Sequence, residues 1–302
     1  MKKYIERLSE DGLAIFLFHG VIEKSEYAVR NYTKKHLDKK FFFELMEGLH
    51  ASGRAITIDE VVRHCRAGIP FPSCAYAITF DDGFENNYSV AAPILEKLKI
   101  PATFYITTDF VDRNQMSWID RIEYCLEKVR SGTVRFKWST GAQRFSTPQE
   151  KISICDDIRK HVKNDPTISQ DELVREVFGQ CGLAEILSSD DPLDRKMSWS
   201  QVQTLTQNPL FTVGGHSHRH SILSFLTPAD LEEEVQTSIN LLKTRGGITP
   251  IYYSYPEGLT HCYSDAVIAV LKKCEIVCCP TAEDGINTHE TDLFHLKRTF
   301  VI

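Results

Sequence analysis

Short, nearly continuous apolar runs alternate with amphipathic segments along most of the chain. The runs at 13–21, 75–80 and 102–107 are rich in bulky apolar residues, which is typical of buried strands. Further strands are predicted at 56–58, 210–214, 251–255 and 275–279. Helices are predicted at 39–52, 87–98, 228–244 and 265–273, and one more helix is expected to follow a cap at Asp59. Strands that alternate with helices favour a mostly parallel α/β sheet, open or closed into a barrel.

The strand pattern stops after about residue 110 and resumes near residue 196. Between these points, 118–130, 149–163 and 169–181 are amphipathic helical segments, and 132–145 is compatible with a small hairpin. We therefore expect a single domain over 1–302 that carries an inserted, mainly helical subdomain at 111–195.

Composition and charge exclude several classes of protein. Of the 302 residues, 42 % are hydrophobic and 25 % are charged, which excludes a disordered chain or a small disulfide-stapled scaffold. The net charge of −6 provides no general attraction to nucleic acid or to anionic membranes. The charged N-terminus lacks the apolar core of a signal peptide, and the nine cysteines contain no CxxC pair. We expect a cytoplasmic protein whose cysteines are mainly reduced.

Three polar clusters follow predicted strands, and sites in α/β folds form at the carboxyl ends of strands. The first cluster is T-F-D-D-G at 79–83, where Asp81 and Asp82 are adjacent. Like charges disfavour mutual ionisation, and a nearby cation would resolve the conflict. A helix cap or an Asx-turn is the structural alternative for this pair.

The second cluster is G-G-H-S-H-R-H at 214–220. His216 and His220 have i, i+4 spacing and would share one face of a helix, which suits a single metal ion. His218 is expected to be a neighbour rather than a ligand, and an exposed polar loop is the alternative for the whole cluster. The third cluster, Y-Y-S-Y-P-E-G at 252–258, is by itself only a strand that ends in a turn.

Together, one aspartate and two histidines form a ligand set suited to zinc or a similar divalent ion, with positions left open for water and substrate. A second carboxylate beside such an ion can act as a base toward water, whose pKa a metal lowers toward neutrality. The combined residues therefore predict a metal-dependent hydrolase.

The ordered motifs T-F-D-D-G, H-S-x-x-H and Y-P-x-G resemble those of the polysaccharide deacetylase family, carbohydrate esterase family 4. The resemblance covers a framework at about 13–110 and 196–302. It implies a distorted (β/α)7-type barrel and a catalytic domain that hydrolyses acyl groups on sugars with a divalent metal. Zinc is the expected ion, and cobalt, nickel or iron also suit the ligands.

The resemblance also assigns roles to single residues. It implies that Asp81 is the catalytic base, that Asp82, His216 and His220 hold the metal, and that Tyr255, Pro256 and Glu257 line the pocket, with the Glu257 N–H as an oxyanion donor. F-H-G-V at 18–21 resembles a strand whose histidine, here His19, is the general acid; a hydrogen-bonded strand-end histidine is the alternative.

Two departures from the family pattern concern proton transfer. The family arginine that orients the base is absent from its usual place, where Tyr253, Ser254 and Tyr255 stand, and the common leucine–x–x–histidine–aspartate ending is missing. Arg298 is a possible replacement for the arginine, with an ordinary surface charge as its alternative.

The expected activity is removal of an acetyl or formyl group from the nitrogen of an amino sugar. A cytoplasmic location favours a nucleotide-linked or lipid-linked intermediate of surface-glycan biosynthesis, and a lipid carrier would imply peripheral contact with a membrane. Two alternatives remain open: a C–N hydrolase of a small cyclic amide or ureide, and a non-catalytic, metal-stabilised carbohydrate-binding module.

Overall fold

Helices and strands alternate along the chain in the computed structural model, which describes residues 1–23 and 26–302. In chain order, the elements are α1 (Lys2–Ile5), β1 (Leu13–Phe18), β2 (Gly20–Ile22), β3 (His36–Asp38), α2 (Lys39–Ser52), β4 (Arg54–Ala55), α3 (Ile58–Ala67), β5 (Ala75–Phe80), α4 (Ala92–Leu98), β6 (Ala102–Ile106), α5 (Thr108–Arg113), α6 (Trp118–Lys128), β7 (Gly132–Val134), β8 (Gln143–Phe145), α7 (Pro148–Val162), α8 (Gln170–Gln180), α9 (Trp199–Gln207), β9 (Phe211–Gly215), α10 (Pro228–Thr244), α11 (Asp265–Lys273) and β10 (Thr299–Phe300). A π-helical turn at Asn87–Ala91 precedes α4, and 3₁₀ turns lie at Leu223–Phe225 and Thr260–Cys262.

A parallel sheet forms the frame of the larger of two compact units, which comprises 1–24, 35–114 and 196–302. The strand order is β10-β1-β5-β6-β9, and β4 also pairs with β5. The register aligns Phe18 with Phe80, Phe80 with Phe104, and Ile106 with Gly215. The carboxyl ends of β1, β5, β6 and β9 therefore meet at one edge, as the predicted α/β architecture requires.

Backbone pairing continues past β9 toward the first strand. Parallel bridges join Gly215 to Tyr253 and Tyr252 to Cys278. Hydrogen bonds then connect 279–283 to 293–298, directly before β10, which pairs with β1. The predicted strands at 251–255 and 275–279 are present as isolated bridges with their backbone hydrogen bonds and not as continuous strands. Pro256 and Pro280, directly after them, cannot donate a further backbone hydrogen bond.

Apolar side chains cover both faces of the sheet. All residues of β1 and β5 are buried, which is typical of parallel strands with a layer on each side. Phe80 stacks between two neighbours, with ring centroids 5.3 Å from Phe18 and 5.1 Å from Phe104. Buried residues of α2, α4 and α9 belong to the same apolar cluster. This packing fixes the strand ends from which the polar clusters project.

The smaller unit comprises 25–34 and 115–195 and has its own apolar core. Its helices α6, α7 and α8 accompany an antiparallel pair, β7 and β8, as the sequence pattern predicted. The insertion was expected at 111–195, but α5 keeps 111–114 in the larger unit. The segment 25–34 was not expected here; Glu123 and Glu127 in α6 accept hydrogen bonds from its backbone N–H groups.

Three local predictions need correction. The strand predicted at 56–58 lies earlier, because β4 covers Arg54–Ala55 and α3 already begins at Ile58. The helix after residue 56 is capped by Thr57, not by Asp59: Thr57 Oγ1 accepts from Glu60 N at 3.0 Å, and Glu60 returns a hydrogen bond to Thr57 N. The predicted helix at 87–98 begins as a π-helical turn. Pro93 lacks the N–H that would donate to Ser89 in a continuous α-helix, which accounts for the irregular first turn.

Within residues 1–23 and 26–302, no helix is long and apolar enough to cross a bilayer. All nine cysteines are free, and five of them are buried. The five buried cysteines pack as small apolar side chains.

Replacing Gly215 by alanine should destabilise the protein. An added Cβ would lie 2.3 Å from the Tyr253 ring, at the point where the two segments pair. We expect the free energy of unfolding to fall by about 1–3 kcal/mol, the usual cost of overpacking, as measured by urea denaturation. Gly141→Ala is the control, because no atom lies within 4 Å of the added Cβ; equal losses in both variants would contradict this interpretation.

Candidate active site

The sheet itself places the candidate residues. His19 directly follows β1, the two aspartates follow β5, and His216 follows β9. The strand ladders extend one residue further, because Asp81 N donates to Phe18 O at 3.0 Å and His216 N donates to Ile106 O at 2.9 Å. The motifs that are far apart in the sequence therefore meet at one edge of the sheet.

Asp82, His216 and His220 bring three potential ligand atoms within 4.8 Å of one another. Asp82 Oδ1 lies 3.3 Å from His220 Nε2 and 3.6 Å from His216 Nε2. This oxygen is buried, and no donor in the described part of the chain makes a hydrogen bond to it. Ligands at about 2.0–2.1 Å from a tetrahedral zinc are about 3.3 Å apart, so the three atoms fit a divalent metal.

Ser254 orients the first of these histidines. His216 Nδ1 lies 2.9 Å from the Ser254 carbonyl oxygen, which fits a protonated Nδ1 and leaves the Nε2 lone pair for a metal. Ser254 Oγ is 2.6 Å from the same nitrogen and donates to Asp81 Oδ1 at 3.3 Å. In the sequence, Ser254 is visible only as a departure from the family pattern, and nothing in the motifs predicts its position between His216 and Asp81.

His216 and His220 converge through a loop, not through a helix as their spacing suggested. Ser217 and His220 both have left-handed backbones, with φ of 64° and 61°. Ser217 Oγ accepts from His220 N at 2.8 Å. His218 turns away to Thr108, with Nδ1 2.9 Å from Oγ1, and it lies outside the ligand set. Glu234 of α10 accepts hydrogen bonds from the backbone N–H groups of His218 and Arg219.

Asp81 is held by a fully buried arginine. Arg298 NH1 and NH2 each donate to one carboxylate oxygen at 2.8 Å, and its Nε donates to Thr281 O. Arg298 is 0 % exposed, so the alternative of a surface charge is wrong. Burial raises the pKa of Asp81, but Arg298, His216 and His19 together outweigh it, and the pKa falls below its ordinary value. The carboxylate is therefore ionised and fixed in orientation.

Lys35 pairs with the other aspartate. Its Nζ lies 3.1 Å from Asp82 Oδ2, on the oxygen that does not face the histidines. Burial raises the pKa of Asp82, but Lys35 and His220 hold it well below its usual range. The pKa of His220 is raised, because Asp82 and Glu257 together outweigh the lowering effect of burial. No sequence signal identified Lys35, which lies in none of the three motifs.

His19 lies at the same edge but has different electrostatics. Its ring packs edge-on against Phe300, and its Nδ1 is buried without a hydrogen-bond partner in the described residues. Burial lowers the pKa of His19 to about 4, despite the opposing charge of Asp82. The imidazole is therefore neutral at pH 7.

The residues of the Y-P-x-G turn differ from one another in burial and in their contacts. The Tyr255 ring is buried, stacks on Tyr263 and donates from its hydroxyl to Phe294 O at 3.2 Å. The Tyr255 side chain is therefore part of the apolar core. Pro256 is also buried, whereas Glu257 is half-buried with φ of 59°, and its charge contributes to the raised pKa of His220.

Arg298→Met should destabilise the protein strongly, because it leaves a buried carboxylate without its counter-charge. We expect a loss of about 3–5 kcal/mol in the free energy of unfolding near neutral pH. The folded-state pKa of Asp81 is lowered, so the stabilisation is present above its unfolded value of about 4 and is lost as the pH falls through the folded-state pKa.

The measurement is urea unfolding at several pH values, with Arg195→Met as the control. Arg195 is exposed and lies 3.8 Å from Asp190, so its loss should change stability by less than about 1 kcal/mol. Similar losses in the two variants, or a difference that grows on acidification, would contradict this account.

Comparisons with known proteins agree with this geometry. The polysaccharide deacetylase family model matches residues 70–279. The Streptococcus pyogenes deacetylase PplD in complex with acetate has 15 % identity and a TM-score of 0.61, with 97 % of this chain and 94 % of that chain covered. IcaB from Ammonifex degensii has 18 % identity and a TM-score of 0.61, with coverages of 98 % and 94 %. The BpsB deacetylase domain from Bordetella bronchiseptica has 15 % identity and a TM-score of 0.58, with both coverages at 97 %.

A comparison with curated proteins gives no match. At these identities, the solved structures establish a shared fold and confirm the predicted α/β class. The family model covers more than half of the sequence, including all three motifs. The chain therefore belongs to the polysaccharide deacetylase family.

Proposed function

We propose that this protein is a metal-dependent hydrolase that removes an N-acyl group from an amino sugar. The observation that carries the proposal is the convergence of a buried, unsatisfied Asp82 Oδ1 with two imidazole nitrogens, directly beside the second carboxylate Asp81. The family match supports deacylation of a carbohydrate as the reaction class.

Asp82, His216 and His220 would hold one divalent ion, with zinc as the expected ion and cobalt, nickel or iron as alternatives. When bound, such an ion polarises an acyl carbonyl and lowers the pKa of water toward neutrality. Asp81 Oδ2 lies 3.7 Å from His216 Nε2, so the base and the ligands share one small space.

Asp81 is the proposed base. Arg298 and Ser254 both donate to its carboxylate, which limits rotation of the side chain and keeps it ionised. Asp81 takes a proton from the attacking water, and the oxygen of that water forms a bond to the acyl carbon. The Glu257 N–H is the proposed donor to the oxyanion that develops on the acyl group.

His19 is the proposed donor of a proton to the departing amine. Because its pKa is about 4, the imidazole is neutral before the reaction and must first receive a proton. Asp81 also has a lowered pKa, so the proton that it takes from water can pass to His19 without a large energetic cost. The C–N bond then breaks as His19 protonates the nitrogen, and the products are a carboxylic acid and a free amine.

The proposed substrate is an N-acetyl or N-formyl amino sugar on a nucleotide or lipid carrier. The similar structure of PplD was solved with acetate, which supports an acetyl group within the acyl class. The carrier follows only from the cytoplasmic location predicted from the sequence. Polymeric substrates therefore belong in the same experiment.

The test measures acetate and formate release from nucleotide-linked, lipid-linked and oligomeric N-acyl amino sugars. We expect release by the metal-loaded protein and its loss after chelation. Asp81→Asn should lower the rate by at least about a hundredfold while the bound metal is retained. His216→Ala should lose the metal itself, as measured by elemental analysis.

Asp59→Asn is the control, because Asp59 accepts a hydrogen bond from Tyr252 outside the site. Bound metal and bound sugar without turnover would favour the binding-module alternative. Turnover of cyclic amides alone would favour the ureide alternative. A protein that binds no metal, or that is unaffected by His216→Ala, would refute the proposal.

A further inference from the structure

Lys35 occupies a defined position beside the candidate metal centre, although none of the three sequence motifs contains it. Its carbonyl oxygen accepts from Gly20 N at 3.3 Å, next to His19. Its ammonium group lies 4.7 Å from the centroid of the Phe84 ring and 3.1 Å from Asp82 Oδ2. The Lys35 side chain is only 15 % exposed, so this ion pair is shielded from solvent.

The two oxygens of Asp82 have different surroundings. Oδ1 faces His216 and His220 and has no hydrogen bond from the described residues, whereas Oδ2 faces Lys35. A cation bound between Oδ1 and the imidazoles would therefore not have to displace the ammonium group. Lys35 and a metal ion can occupy opposite sides of one carboxylate.

Each buried aspartate has its own cation without a metal. Arg298 offsets Asp81, and Lys35 offsets Asp82. A divalent ion would therefore be added to two carboxylates whose charges are already offset, and it would lie close to the Lys35 ammonium group. Like charges at such short range repel strongly where water is excluded.

We infer that Lys35 is a built-in counter-cation of the metal centre: it stabilises the metal-free site by pairing with Asp82 Oδ2, and it weakens the binding of the metal at Oδ1. This role explains how two adjacent buried carboxylates are tolerated in the absence of metal. Lys35 would act through its ion pair with Asp82 and not by contact with the metal, and the inference rests on the proposed metal site.

The test compares Lys35→Met with Lys35→Arg by two measurements. The first is the dissociation constant for Zn²⁺, obtained by titration against a competing chelator. The second is the thermal midpoint of the metal-free protein. Lys35→Met should bind Zn²⁺ at least about tenfold more tightly, because the repulsion is gone, and its metal-free form should melt several degrees lower. Lys35→Arg keeps the charge and should remain near wild type in both measurements.

Lys97→Met is the matched control. Lys97 also lies over an aromatic ring, 4.9 Å from the centroid of Phe43, and its loss changes the net charge equally. It should alter neither measurement. Lys35→Gln repeats the comparison with a polar neutral side chain if Lys35→Met does not fold.

Zn²⁺ binding by Lys35→Met that is unchanged or weaker than that of wild type would overturn the inference. Weaker binding would mean that Lys35 acts mainly by orienting Asp82, as outer-shell partners of metal ligands commonly do. Failure of the wild-type protein to bind Zn²⁺ would instead refute the proposed function and the inference with it. The two failures are thus distinguished by the wild-type titration.

Discussion

The burial of two adjacent carboxylates at the end of β5 is the constraint on which the rest of the site depends. Asp81 and Asp82 are each about 2 % exposed, and an ionised carboxylate at such depth is stable only with compensating charge or hydrogen bonds. Arg298 supplies both to Asp81, and Lys35 supplies charge to Asp82. Of the four oxygens of these two carboxylates, only Asp82 Oδ1, which lies beside two imidazoles, has no donor among the described residues. The unsatisfied position is therefore where a metal ion fits.

Backbone strain is concentrated around the same residues. Asp82, Ser217, His220 and Glu257 all have left-handed backbones, which non-glycine residues adopt at some energetic cost. Hydrogen bonds to the loop offset this cost: Ser217 Oγ accepts from His220 N, and Glu234 accepts from the two N–H groups between them. The loop can then aim two imidazoles at one point over five residues, which a regular strand would not allow.

The sequence predicted regular elements better than the contacts between them. Helices α2, α10 and α11 and strand β5 have the bounds that their hydrophobic patterns indicated, since burial of one face or both faces determines each pattern. The site motifs were found because they follow buried strands. Lys35 and the link through Ser254 were missed, because their roles arise from contacts across the sheet and have no local pattern. The helical spacing of His216 and His220 misled for a related reason: two left-handed residues create the same proximity without a helix.

The last strand of the fold places Arg298 so that its guanidinium group offsets the charge of Asp81. Arg298 immediately precedes β10, whose pairing with β1 places the end of the chain one strand away from β5, on the other side of β1. Pairing of Phe16 with Thr299 therefore brings the guanidinium group to Asp81, 217 residues earlier in the sequence. An arginine located before the Y-P-x-G turn would reach the base from another strand. Here Ser254 occupies that region and contacts Asp81 and His216 together, so the proposed base and the proposed metal ligand are oriented through one hydroxyl group.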